Sequence, residues 1–152
     1  MAAGRARVDA VQDAMHAVRA FTDAMDRMHN GLKSDMDMNA SDLAALRMII
    51  IREQRGETVR PYDVARHLRI STASTTKLLD RLTEAGHVER RPHPQDRRAR
   101  VIVLTDASRK EFYAHFGERL AAMRGVAEHF SEKELGVVVR FLDDLTVALE
   151  AE

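Results

Sequence analysis

The chain has no cysteine, and that absence removes disulfides, thiolate nucleophiles and cysteine-based zinc or redox sensing together. A cytoplasmic protein is the natural expectation. It has no net charge either, because 24 lysines and arginines balance 24 aspartates and glutamates, so global electrostatics names no partner. Long apolar runs are missing: the opening MAAGRARVDAVQDAMHAVRA is polar at regular intervals, unlike a secretion signal or a bilayer span. No membrane association is expected. Low-complexity segments and internal repeats are absent as well. The seven histidines include no pair at the H-x3-H spacing that would put two imidazoles on one helical face. No metal site is expected. Nucleophile elbows, phosphate-cradling glycine loops and recognisable paired acids are also lacking. The sequence therefore reads as a non-enzyme with no cofactor.

What remains is enough for one real core. At 152 residues and 45% hydrophobic, residues 1–152 read as a single domain. The charge is unevenly spread: residues 60–100 hold ten lysines or arginines against five acids, leaving 14 against 19 elsewhere. Neutrality conceals a basic middle and acidic flanks. The stretch RRPHPQDRRAR at 90–100 concentrates it further, with five arginines and one aspartate.

Val8, Val11, Met15, Val18, Thr22, Met25, His29 and Leu32 step by three and four, the register of a long amphipathic helix. Gly31 and residues 33–39 are read as its end. Asn39 or Ser41 caps a second helix through Leu43, Leu46, Ile49 and Ile50, stopped by Gly56. Thr58 and Val59 suit a very short strand, and Pro61 opens a short helix to about Leu68, where its missing N–H is not needed. Ser71 or Thr72 then caps a helix ending at Gly86, with Leu78, Leu79 and Leu82 on its buried side. Residues 87–91 and 99–104 suit two strands of a hairpin with a long exposed tip. Thr105 opens another helix, carrying Phe112, Phe116, Leu120 and Met123, that ends near Phe130. Ser131 with Glu134 forms a capping box for the last one, striped by Leu135, Val138, Leu142, Leu145 and Leu149.

Two short helices joined by a tight turn and followed by a basic hairpin make a winged helix-turn-helix. A recognition helix enters the major groove by its N-terminal part, which favours small side chains, hydroxyls and few acids. Ser71, Thr72, Ser74, Thr75, Thr76 and Lys77 meet those demands. Thr72, Thr75 and Thr76 suit thymine methyls, and the wing presents arginine to the negative potential of a narrow minor groove. The partner expected is double-stranded DNA.

The segment DVARHLRISTASTTKLLDRLTEAGHVERRPHPQDRRARVIVLT resembles the DNA-binding half of the multiple antibiotic resistance regulator (MarR) family. Its most specific features are the pattern D-x-R-(x)5-L-T at Asp96, Arg98, Leu104 and Thr105, and the preceding G-x-V-x-R at Gly86, Val88 and Arg90. The resemblance is strong over residues 58–105 and architectural elsewhere. It implies an obligate homodimer on a palindromic operator, usually a repressor released by a small ligand. It also implies Arg98 in the minor groove, with Asp96 orienting an arginine. An acid inside a basic loop is tolerable when an arginine neutralises it. Arg97 beside them is a phosphate contact. Arg90 and Arg91 point to opposite faces of a strand, and the motif favours Arg90 as the residue that braces the wing. His87 stands where the family commonly has a larger apolar residue, which leaves the packing under the wing open.

The expected fold is mostly α with a small β wing: a winged helix-turn-helix lobe at 40–105, with long dimerisation helices at 1–38 and 106–152. Terminal helices of roughly 25 residues would run nearly 40 Å, too long for a small lobe to cover. A dimer solves that problem and sets two recognition helices about 34 to 36 Å apart. Val8, Val11, Leu135, Leu142, Leu145 and Leu149 are the expected interface, although some suit intramolecular core equally. A pocket for a small aromatic or amphipathic ligand belongs where the dimer helices meet the DNA-binding lobe. Met25, His29, Met36, Met38, Met48 and Phe112 are flexible or aromatic enough to line it. The alternative function is a helical dimer that binds a small molecule without reading DNA.

Overall fold

The structure, a computed structural model, describes residues 2–151. It is mostly helical with one two-stranded antiparallel sheet, a winged helix-turn-helix. The order is α1 (Ala2–Asp35), α2 (Ala40–Gln54), α3 (Pro61–Leu68), α4 (Thr72–Glu84), β1 (Val88–Pro92), β2 (Arg100–Leu104), α5 (Asp106–Ala127) and α6 (Glu132–Glu150). Compactness divides it into residues 2–112 and 113–151, so α1 belongs with the winged lobe and α5 begins there and continues into the second unit.

Gly31 does not stop α1, which runs through it to Asp35. An interior glycine costs only about 1 kcal/mol relative to alanine, too little to break a long helix. The chain turns instead at Asp37, in the left-handed region at φ 52°. Asn39 then caps α2, its Oδ1 accepting the Asp42 N–H at 2.8 Å.

Three helix ends in the lobe close alike. Glu57 N–H returns to the Arg52 carbonyl beyond α2, Ile70 N–H to Ala65 beyond α3, and His87 N–H to Leu82 beyond α4. Each closure needs a left-handed residue. Gly56 and Gly86 supply two, at φ 72° and 79°, and Arg69 the third, at φ 53°. Arg69 accepts a conformation glycine would take more easily, and there the chain makes the tight turn between α3 and α4.

The core of the lobe joins Leu43, Leu46, Ile49 and Ile50 of α2, Val64 of α3, Leu78, Leu79 and Leu82 of α4, and Val88, Ile102 and Leu104 of the wing, all buried. The strands pair from Val88 opposite Leu104 to Pro92 opposite Arg100. Thr58 and Val59 form no strand; Val59 gives β2 a single backbone bond, its carbonyl accepting Ile102 N–H at 2.7 Å. Charged ties reinforce the packing. Arg81 of α4 meets the buried Asp42 of α2 at 2.9 Å, and this hydrogen bond holds the guanidinium above its ordinary pKa. Glu53 at the end of α2 accepts Leu104 N–H at 3.1 Å and Arg109 Nη2 at 2.9 Å, linking α2 to the base of the wing and the start of α5.

In the second unit, Ser131 caps α6 through a reciprocal box with Glu134, whose carboxyl is held below its ordinary pKa by the Ser131 N–H. No residue of α6 is buried. Among the described residues no helix is long and apolar enough to cross a membrane, and no group of three or more His, Asp or Glu is placed to hold a metal ion.

Candidate nucleic-acid interface

Ser71 fixes the start of α4. Its Oγ accepts Ser74 N–H at 3.1 Å and lies 3.0 Å from Ser74 Oγ. Beyond this cap the helix has two faces. Leu78, Leu79 and Leu82 are buried; Thr72, Ala73, Ser74, Thr76 and Lys77 are exposed. Over these first turns the outward face is short and uncharged except for Lys77, so a flat or grooved surface can approach the helix backbone closely.

Thr75 is not on that face. It is 2% exposed and donates its hydroxyl to the Ser71 carbonyl at 2.9 Å. The expectation that it meets a base edge is therefore corrected: it stands three, four and seven residues before Leu78, Leu79 and Leu82, the helical spacing that puts it inward with them. Thr76 also returns its hydroxyl to a carbonyl, that of Thr72 at 3.0 Å, but its methyl and its oxygen lone pairs stay outside.

The wing is tied to this helix by one pair. Arg90 of β1 donates from Nη2 to Oδ1 of Asp80 on α4 at 2.7 Å. Asp80 was not anticipated from the sequence. Arg91, on the opposite face of the strand, holds Glu89 at 2.7 Å.

At the tip, Asp96 bonds the backbone and has no arginine side-chain partner among the described residues. Its Oδ1 accepts the backbone N–H of Arg98 at 3.1 Å, while its carbonyl accepts Ala99 N–H at 3.1 Å. This is the turn that a short acid makes with the backbone two residues on. His93 makes a matching closure, accepting Gln95 N–H on Nδ1 at 3.1 Å and donating its own N–H to Ala99 at 2.9 Å. The tip is thus closed by its own side chains, and the side chains of Arg97 and Arg98 are exposed without a carboxylate partner among the described residues.

Under the wing, His87 packs as a polar residue rather than an apolar one. Its Nδ1 lies 3.0 Å from Oγ of the fully buried Ser108. Thr105 completes the joint, donating to the Gly86 carbonyl at 2.6 Å and accepting Ser108 N–H at 3.1 Å.

Of the residues expected at a ligand pocket, Met36, Met48 and Phe112 are buried, and Met25, His29 and Met38 partly so. Met48 borders a cavity of about 400 Å³ that lies along α2 and reaches His67 of α3. Of the expected interface residues, Val8, Val11, Leu142 and Leu149 are exposed in the single chain, Leu135 and Leu145 partly.

A sequence profile of the MarR family matches residues 36–99, which contain α2, α3, α4 and the wing to its tip. The HTH-type transcriptional regulator YfiV of Bacillus subtilis is 30% identical over 119 residues, covering 78% of this chain and 71% of YfiV. A second regulator from that organism, YcgE, is 35% identical over 83 residues, and the match spans 55% of this chain and about half of YcgE, 54%. Among solved structures, Staphylococcus aureus MepR in complex with DNA superposes with a TM-score of 0.61 at 19% identity, covering 88% of this chain and 94% of MepR. MepR bound to ethidium bromide gives 0.55 at 20%, covering 89% and 95%. The structural likeness establishes the fold and the sequence relatives the lineage: this chain belongs to the MarR family of transcriptional regulators.

Proposed function

We propose that the protein is a homodimeric, sequence-specific regulator that binds a palindromic operator, represses transcription there and is released by a small-molecule ligand. The observation that carries DNA contact is the division of labour among the cations of residues 77–100. Arg81, Arg90 and Arg91 are spent on Asp42, Asp80 and Glu89, whereas Lys77, Arg97, Arg98 and Arg100 are exposed and have no acid to hold them among the described residues. An arginine without a partner beside a helix of small hydroxyl residues matches the negative, close-set surface of a DNA groove. Ser71, Thr72, Ser74 and Thr76 face the base edges or nearby phosphates, Lys77 and Arg97 take phosphates, and Arg98 enters the minor groove. MepR, of the same fold, has been solved on DNA, which supports this reading.

Dimerisation rests on apolar surface that has no cover. At 34 residues α1 is about 51 Å long, and it exposes Val8, Val11 and Phe21, each by half or more. Leu142, Val147 and Leu149 of α6 are likewise uncovered. Two copies joined through these helices bury those side chains. Release by a ligand draws support from MepR, which has been solved with ethidium bromide.

The test is the salt dependence of binding to duplex DNA from upstream of the protein's own coding region. If Lys77, Arg97 and Arg98 of each protomer each neutralise one phosphate, a dimer neutralising six gives a slope of log affinity against log salt near −5, or about a 10³-fold loss between 50 and 200 mM. Replacing both Arg97 and Arg98 with glutamine removes four contacts and brings the slope to about −2. An unchanged slope in that variant, or no binding at low salt, defeats the proposal.

A further inference from the structure

We infer that Glu53, near the end of α2, is a positioning residue for DNA binding: its carboxylate sets the angle of the wing, and through it the place of Arg98 at the tip. The first observation is the outer edge of β2. Ile102 and Leu104, two residues apart, turn their N–H groups away from β1. Ile102 finds a backbone carbonyl, that of Val59, at 2.7 Å. Leu104 is buried at the base of the wing, and its N–H goes to Glu53 Oε1 at 3.1 Å. A side chain of α2 thus stands where a third strand would offer a carbonyl, and a buried N–H without an acceptor is strongly unfavourable.

The second observation is what holds the carboxylate in place. Its Oε2 accepts Arg109 Nη2 at 2.9 Å, while Arg109 Nη1 donates to Asp106 Oδ1 at 2.8 Å. Both oxygens of Glu53 are therefore engaged, one by β2 and one by α5. A charge-assisted bond of this kind is the stronger of the two and fixes the direction in which Oε1 points. On the other strand, Arg90 ties β1 to Asp80 of α4. The wing is held along one strand by α4 and along the other by α2, and the balance of these holds fixes its angle.

The consequence for binding comes from leverage. Arg98 stands six residues before Leu104, up to about 20 Å along an extended chain. A rotation of about 3° at the base then moves the tip by about 1 Å, twice the tolerance of about 0.5 Å within which a binding constellation works. Without the Glu53 carboxylate, Val59 still holds Ile102 and Asp80 still holds Arg90, so the wing stays on the lobe while its tip shifts. This consequence rests on the reading that Arg98 enters a DNA groove.

The experiment is fluorescence anisotropy of the full chain with a labelled duplex from upstream of its own coding region, over a range of salt. Wild type, Glu53→Ala, Arg98→Gln and the double variant are compared. Glu53→Ala weakens binding by roughly fivefold or more, yet by less than about twofold when Arg98 is already glutamine. If each of the two Arg98 side chains in a dimer neutralises one phosphate, they supply about 1.8 of the salt slope, and Glu53→Ala lowers the slope by about that amount. A merely structural loss leaves the slope alone, and Thr75→Ala, which weakens the core from inside α4, is the comparison that shows it. Circular dichroism checks each fold. Where Glu53→Ala does not fold, Glu53→Asp keeps the charge for Arg109 but is one methylene too short to reach Leu104 as well, and gives the same pattern. Equal losses with and without Arg98, an unchanged slope, or wild-type affinity in the folded variant overturns the inference. A wild-type chain that binds no duplex, or Arg98→Gln that binds as tightly as wild type, refutes the groove reading itself, and the positioning role falls with it.

Discussion

The role of Asp96 separates two pictures of the wing tip that make opposite predictions for one isosteric change. In the structure its Oδ1 accepts the Arg98 N–H at 3.1 Å, and an asparagine side chain carries the same oxygen in the same place. Asp96→Asn therefore keeps the turn and removes a negative charge from a surface that meets phosphates. With a phosphate roughly 10 Å away in water, the relieved repulsion is about 0.4 kcal/mol, and screening at 0.1 M salt reduces it further. Affinity for duplex DNA should rise by up to about twofold. Asp96→Ala removes the same charge but also the acceptor, so the tip must be ordered on binding. An exposed hydrogen bond contributes about 0.5 to 1.5 kcal/mol, which corresponds to between about twofold and tenfold weaker binding per wing. Fluorescence anisotropy with a labelled duplex at fixed salt measures both, and thermal melts should move little because the tip lies outside the core. If Asp96→Asn binds as poorly as Asp96→Ala, the charge is what matters, the carboxylate orients an arginine side chain on DNA, and the backbone-turn reading is refuted.

The inward position of Thr75 predicts a split among the threonines of α4. Thr75→Ala should lower stability to urea by about 1 to 2 kcal/mol through a lost buried methyl and hydroxyl bond, leaving operator preference unchanged, whereas Thr72→Ala and Thr76→Ala should alter preference in a site-selection assay and leave the urea midpoint in place. A change of preference from Thr75→Ala alone would contradict this. The His29 imidazole is held below its ordinary pKa of 6.5, first by burial and then by the Arg47 charge, with Asp26 opposing. The unfolded chain therefore binds the proton first as pH falls, so stability is undiminished above about 6.5, declines below it and levels off once the folded value is passed. Urea titrations between pH 5 and 7.5 should show a decline that His29→Gln lessens, and an identical slope in that variant would remove the imidazole from the account.

Local chemistry made much of this fold legible. The eight-residue α3 follows from proline at its start, the caps at Ser71 and Ser131 from hydroxyls before apolar registers, and the ends at Gly56 and Gly86 from the left-handed residue that such closures require. The inward turn of Thr75 was equally open to reading, since its spacing to three buried leucines is in the sequence. The backbone bond of Asp96 was open too, as a habit of aspartate in turns. Both were masked by a functional expectation: a hydroxyl near the start of a recognition helix and an acid among arginines each invite a contact with a partner. Charge pairing between distant elements was not open. Asp80 and Arg90 are ten residues apart, Asp42 and Arg81 39, Glu53 and Arg109 56, and no local rule selects those partners from 24 acids and 24 bases. Yet this pairing decides what the surface can bind. The arginine-rich stretch at 90–100 counts five cations in sequence; in the fold two of them are held by acids and the exposed tip carries the rest. A neutral chain can thus present an anion-seeking surface along the wing and α4, because the remainder after pairing, and not the total charge, is what a ligand meets.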